Sequence, residues 1–180
     1  MPGLGGLCLN GVMSDLDAQF RPDRTWFLTI NLAESGSNLL TKHIGALGDS
    51  ARDFEGLHPF ETVATVILPD HMHAIWTLPA EDGDYHRRIK YLQESFTRRM
   101  VEGGHIPEKR ASKLWHPRYW DYQIKDAVDM ERHVGYIHGN PVKHGLVSHP
   151  DKYRYSTWHK FRDNGFALWT EKPLGTSGER

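Results

Sequence analysis

The apolar positions of this chain switch several times between a two-residue and a 3.6-residue period, and each switch marks an element. Thr25–Leu32 (TWFLTINL) is rich in β-branched and aromatic residues and predicts a strand. Leu40, Ile44, Leu47 and Ala51 recur at helical spacing and predict a helix over Leu39–Phe54, with Gly56 and Pro59 punctuating its end. Phe60–Leu68 and His71–Leu78 read as two strands joined by the short Pro69-Asp70 turn, hence an antiparallel hairpin. Tyr85, Ile89, Leu92, Phe96 and Met100 form one apolar stripe and predict a helix over Tyr85–Met100. Arg118–Lys125 (RYWDYQIK) predicts a fourth strand. Asp126 then has the character of an N-cap for a helix from Ala127 to Gly139, with Asn140-Pro141 at its stop.

The resulting order, β-α-β-β-α-β-α, predicts an α+β fold. Its first six elements match a ferredoxin-like core, a largely antiparallel four-stranded sheet with two helices on one face. The C-terminal helix is additional. One domain over residues 21–170 is expected, with a Gly-rich flexible leader at 1–20 and a flexible tail at 171–180. Two aromatic clusters near the end, YRYSTWHKF and GFALW, are expected to pack back onto the domain. No apolar run reaches the ~20 residues of a membrane helix, so no membrane partner is expected. The single cysteine, Cys8, excludes an internal disulfide.

Charge alters this picture. The chain as a whole has a net charge of −1, which taken alone argues against a nucleic-acid partner. Yet residues 1–84 carry 4 Lys/Arg against 12 Asp/Glu, while residues 85–125 carry 10 against 4. A local basic surface is what phosphate binding requires, and this middle segment provides one. A solvated charged helix and loop account for it equally well.

The candidate chemistry lies elsewhere. In His71–Leu78 alternate side chains share a face. Met72, Ala74, Trp76 and Leu78 make one uniformly apolar face; His71 and His73 lie on the other with Ile75 and Thr77. The two imidazoles stand ~7 Å apart along the strand, close enough to share one cation. A solvated pair remains the competing reading, since the chain holds 12 histidines. With neutral N and O donors and no thiolate, the pattern suits Mg²⁺ or Mn²⁺ better than zinc. In the last helix Ala127, Met130, Val134 and Ile137 form the expected buried stripe. Tyr136 lies roughly 140° from its middle, beside Asn140 at i+4 and His133 at i−3. A surface tyrosine near a helix stop explains this pattern too; the functional alternative needs the helix to cross the histidine face of the sheet.

Taken together, DHMHAIWTLP, LWHPRYWDYQIKD, YIHGNPVKHGLV and KYRYSTWHKF resemble the HUH single-tyrosine transposases, and within them the REP-associated tyrosine transposases, over roughly residues 22–170. The resemblance implies a metal-dependent endonuclease and strand transferase that cleaves single-stranded DNA beside a hairpin through a 5′-phosphotyrosine link. It implies Tyr136 as nucleophile and His71, His73 and Asn140 as ligands of Mg²⁺ or Mn²⁺. It implies a cytoplasmic, nucleoid-associated protein, monomeric or homodimeric, acting on repeated palindromes. The family often carries paired arginines and a Pro-Gly before the first strand; here only Arg21 and Arg24 stand there. Arg21, Arg24, Arg87, Arg88, Lys90, Arg98, Arg99, Lys109, Arg110, Lys113, Arg118 and Lys143 are candidate phosphate contacts. Trp115, Tyr119, Trp120 and Tyr122 are candidate stacking platforms for unpaired bases. The alternative is a non-catalytic nucleic-acid-binding module on the same fold.

Overall fold

The computed structural model describes residues 20–165. The strands are β1 (Thr25–Asn31), β2 (Glu61–Ile67), β3 (His71–Thr77) and β4 (Trp120–Gln123). They form one four-stranded sheet in the order β2-β3-β1-β4, every pairing antiparallel. The antiparallel four-stranded sheet is the one the ferredoxin-like expectation required. The helices are α1 (Leu39–Lys42), α2 (Ile44–Leu57), α3 (Tyr85–Glu102), α4 (Ala127–Lys143) and α5 (Trp158–Asp163). Short 3₁₀ turns occupy Glu108–Lys113 and Pro150–Lys152.

Both faces of the sheet are buried, and this sets the site. On one face Leu28, Ile30, Met72, Ala74 and Trp76 pack with Leu47 of α2 and with Ile89, Leu92, Phe96 and Met100 of α3. On the other, Phe27, Ala64, Val66 and Ile75 pack with Met130, Val134 and Ile137 of α4 and with Tyr153. The histidine face of β3 therefore does not look away from the core, as its mixed composition suggests; it belongs to a second core roofed by α4. The outer edge of β2 is covered by the chain around Tyr155–Thr157: Ile67 N–H donates to Tyr155 O at 2.8 Å and Thr157 N–H to Thr65 O at 2.9 Å. β4 closes the other edge of the sheet and pairs only with β1 among the described residues.

Several element boundaries differ from expectation. The helix expected over Leu39–Phe54 is interrupted at His43 (φ −114°, ψ 37°), whose ring packs on that of His105 at 4.0 Å. Gly45 and Gly48 weaken helical propensity just after the break. The fourth strand keeps only Trp120–Gln123. The expected stop at Asn140-Pro141 is passed, and α4 runs to Lys143 with Pro141 inside it. Proline removes one N–H donor from a helix; here Asn140 and Pro141 are both buried, and their packing outweighs that loss. Asp126 caps α4 as expected, accepting from Asp129 N–H at 2.8 Å, and Asp84 caps α3 in the same way, accepting from Arg87 N–H at 2.9 Å. Phe20, expected to end the leader, packs against the second core. Residues 1–19, including Cys8, and 166–180, including most of GFALW, lie outside the described residues.

Candidate active site

β3 and α4 supply the site because they are stacked. His73 sits two residues into β3, opposite Thr29 of β1 in the antiparallel register. Its side chain is 1% exposed. Its Nδ1 is 2.8 Å from Thr29 Oγ1, and its ring stacks on Phe27 at 5.6 Å. His73 Nε2 is buried and without a hydrogen-bond partner. A buried N–H left unpaired is costly, so the proton is assigned to Nδ1, donating to Thr29, with the Nε2 lone pair left available. His71 opens the strand, and its ring centre is 5.1 Å from that of His73. Its Nδ1 is 2.6 Å from Asp70 Oδ1. A carboxylate only accepts, so this nitrogen donates, and in the neutral ring Nε2 carries the lone pair.

From the roof, Tyr136 places its ring 5.3 Å from that of His73 and 5.9 Å from Phe27. Lys143 Nζ donates to the Tyr136 hydroxyl at 3.2 Å and stands 4.8 Å from the centre of its ring. One turn after Tyr136, Asn140 is fully buried; its Nδ2 donates to Tyr136 O at 3.3 Å, and its Oδ1 is buried with no hydrogen-bond partner. His144 follows at the end of α4, its ring 5.0 Å from His71. Tyr136 is therefore not the surface side chain that its angle from the helix stripe implies. α4 lies between the sheet and the C-terminal segment, where Trp158 and Phe161 pack on His138, so most of its circumference is buried.

The electrostatics favour a neutral His73. Burial pushes its pKa well below the ordinary value; any charge on His71 or His144, and that on Lys143, acts in the same direction, and the Asn140 side chain opposes it. Burial alone would raise the Asp70 carboxyl. The hydrogen bonds from His71 and from Gly36 N–H outweigh it and hold Asp70 below the usual carboxylate range. Among the described residues no group of three or more His, Cys, Asp or Glu side chains has metal-holding geometry. A cation here must draw on the Asn140 amide. The donor set fits one: two imidazoles whose Nδ1 atoms are tied back, and an amide oxygen, with His73 Nε2 and Asn140 Oδ1 both buried and unpartnered. A metal-bound histidine usually donates its other ring N–H to such an acceptor, which fixes its tautomer and orientation.

The structure thus brings together His71, His73, Tyr136, Asn140 and Lys143, and leaves other candidates apart. Arg21 and Arg24 lie by the Thr77 end of β3, about 20 Å along the sheet from His71. Arg87, Lys90 and Arg98 are exposed on α3, on the opposite face of the sheet. A groove of about 580 Å³ runs beside Lys90 and Arg98, between α3 and the Glu108–Lys113 turn. Arg88 is not available to DNA. It is 1% exposed, bonded to Asp84 O and Pro59 O and paired with Asp82 at 3.1 Å, because it falls within the buried side of α3. Arg99 is paired with Asp53 at 2.5 Å, and Arg110 with Glu34 at 2.6 Å. Trp115 is not an open platform either: its indole N–H donates to Gln93 O and Thr97 Oγ1, and its ring meets Phe96 in the first core. Lys113 and Arg118 are exposed on the loop that joins the His71 end of β1 through the Leu32–Trp115 bridge. Tyr119 is bonded to His86, on the α3 side. Thr29 and Phe27 escaped the sequence reading, because only strand register brings them to His73. Asp70 had a signal in its adjacency to His71.

No family model matches the chain. It is 36% identical over 148 residues to the REP-associated tyrosine transposase of Escherichia coli (strain K12), covering 82% of this chain and 84% of that one. It is 35% identical over 153 residues to the putative REP-associated tyrosine transposase of Haemophilus influenzae, covering 82% and 87%. A solved REP-associated tyrosine transposase bound to a REP hairpin superposes with a TM-score of 0.76 at 35% identity, covering 87% of this chain and 92% of that chain.

Proposed function

The chain belongs to the REP-associated tyrosine transposases, and we propose that it nicks and rejoins single-stranded DNA beside a hairpin by HUH-type chemistry. Tyr136 is the nucleophile, and His71, His73 and Asn140 hold Mg²⁺ or Mn²⁺. The observation that carries this reading is the Tyr136 phenol packed against His73 where two buried ligand atoms, His73 Nε2 and Asn140 Oδ1, have no protein partner. The hairpin partner is supported by the relative solved with a REP hairpin. Work on DNA supports a cytoplasmic, nucleoid-associated location.

The chemistry follows from the residues. A phenol with pKa ~10 is a poor nucleophile at neutral pH. The Lys143 ammonium, 3.2 Å from the Tyr136 oxygen, favours the phenolate. The phenolic proton passes to solvent, Tyr136 Oη bonds to phosphorus, and the bond from phosphorus to the 3′ oxygen breaks. That oxygen takes a proton from water, leaving a 3′ hydroxyl and a 5′-phosphotyrosine. Attack by a 3′ hydroxyl reverses the step and rejoins a strand. A divalent cation bound by His71, His73 and Asn140 would supply polarisation of the phosphoryl oxygen. Thr29 and Asp70 fix the tautomers of the two histidines, and Phe27 holds the His73 and Tyr136 rings in mutual orientation.

The test mixes protein, Mn²⁺ or Mg²⁺ and a labelled hairpin oligonucleotide with a single-stranded flank. A covalent protein–DNA adduct is expected from the wild-type chain, absent with Tyr136→Phe or EDTA. Cleavage that survives Tyr136→Phe refutes the mechanism. Hairpin binding with no adduct under any metal assigns a non-catalytic binding role.

A further inference from the structure

We propose that the open face of Trp120, on the edge strand β4, is a nucleobase subsite that stacks an unpaired base of the single-stranded flank next to the cleaved phosphate. This rests on the DNA-cleaving function proposed above. Among the described residues the exposed large apolar side chains are Leu57, Trp120, Val128 and Leu146, and of these Trp120 alone presents an aromatic plane. It is 43% exposed.

Strand register puts it beside the site. Trp120 pairs with Thr29, and Thr29 pairs with His73, so the three share one cross-strand row. β4 therefore carries the indole about 10 Å from the His73 position, two strand spacings away. Ring contacts make the same link: Trp120 packs edge-on against Phe27 at 5.5 Å, and Phe27 in turn touches Tyr136 and His73. Behind it the indole is supported by a stack, Tyr122 at 5.9 Å and 4°, then His133 against Tyr122 at 5.0 Å and 20°. The platform is thus braced on one side and open on the other. Lys125 Nζ, 5.5 Å from the Tyr122 ring, adds a positive charge to the bracing stack, where a sugar-phosphate backbone can use it. A rigid, exposed aromatic plane beside a cation is what stacking on unpaired bases requires, and such stacking tolerates any base. Duplex stem offers no free base plane, so the occupant is the unpaired flank.

Binding is measured with Tyr136→Phe protein, so that no turnover is needed, using fluorescence anisotropy. The probes are a hairpin with a single-stranded flank, the same hairpin without it, and a series in which each flank nucleotide in turn is abasic. Adding Trp120→Ala is expected to weaken the flanked hairpin about tenfold and leave the flankless hairpin unchanged. One abasic position should weaken binding to the Trp120 protein by a similar factor and cost nothing in the Trp120→Ala protein. Trp120→Phe should retain most of the affinity and Trp120→Leu little, which separates stacking from mere apolar burial and supplies variants should the alanine form melt early. Identical abasic profiles with and without Trp120 overturn the proposal. So does a fall in sedimentation coefficient of the DNA-free protein on substitution, which would assign this face to a second copy of the chain. Absence of a wild-type adduct would instead refute strand transfer, an outcome these binding measurements do not depend on.

Discussion

Replacing Thr29 with valine isolates one hydrogen bond of the proposed metal site. Valine keeps the shape of threonine and removes the oxygen that lies 2.8 Å from His73 Nδ1. His73 then has a buried N–H with no acceptor, at 1% exposure. Leaving such a donor unsatisfied costs about 1–3 kcal/mol of stability. The same bond orients the imidazole and keeps the Nε2 lone pair toward the cation. Loss of such a partner lowers metal affinity about 10–100-fold. Thr65→Val is the internal control: its hydroxyl donates to the backbone carbonyl of the same residue, His73, at 3.0 Å, so it loses a hydrogen bond of similar length without touching the ring. Calorimetric titration of Mn²⁺ into the three proteins should give Thr29→Val an affinity lower by one to two orders of magnitude and leave Thr65→Val near the wild-type value. Urea melts should show both variants destabilised. Equal Mn²⁺ affinity in the wild-type and Thr29→Val proteins would refute the assignment of His73 as a ligand positioned by Thr29. An equal loss in both variants would trace the effect to general loosening of β3.

Three further outcomes follow from the packing. Lys143→Met should move the rise of adduct formation with pH to higher pH, and Lys143→Arg should restore much of the wild-type profile; an unshifted pH profile in Lys143→Met means the 3.2 Å contact does not activate Tyr136. Arg88→Met should destabilise the fold by about 2–3 kcal/mol, the scale of lost hydrogen bonds to a charged group, while hairpin affinity of the folded protein stays constant; weaker DNA binding with unaltered stability would return Arg88 to the DNA surface. The Tyr153 phenol, buried and beside Tyr155, has its pKa pushed up to about 12 and donates to Ile67 O at 2.6 Å. Ionisation is disfavoured in the fold, so this contribution is complete below pH ~10 and is lost as pH rises toward about 12. Tyr153→Phe should be less stable near neutrality yet lose less stability across that alkaline window in thermal melts, and parallel curves for the two proteins would exclude the linkage.

What the residue pattern determined on its own is the order and kind of the elements and the candidate residues, His71, His73, Tyr136 and Asn140. Met72, Ala74, Trp76 and Leu78 read directly as a core face, the Tyr85–Met100 stripe as a packed helix, and Asp126 as a cap. These are local signals with fixed periods. The tertiary structure decided what covers the histidine face. His71, His73, Ile75 and Thr77 make a mixed row that suits solvent or a second layer equally, and only the docking of α4 makes it an interior. The same docking buries Tyr136, which its own helix angle places off the apolar stripe, since the C-terminal segment closes the other side of α4. Thr29 and Trp120 join His73 only through strand register, a relation between residues 44 and 47 positions from it that no local period encodes. Arg88 and Arg87 are neighbours in sequence and alike in charge; one closes a buried network and the other faces water, because a helix turns by ~100° per residue and burial follows the face.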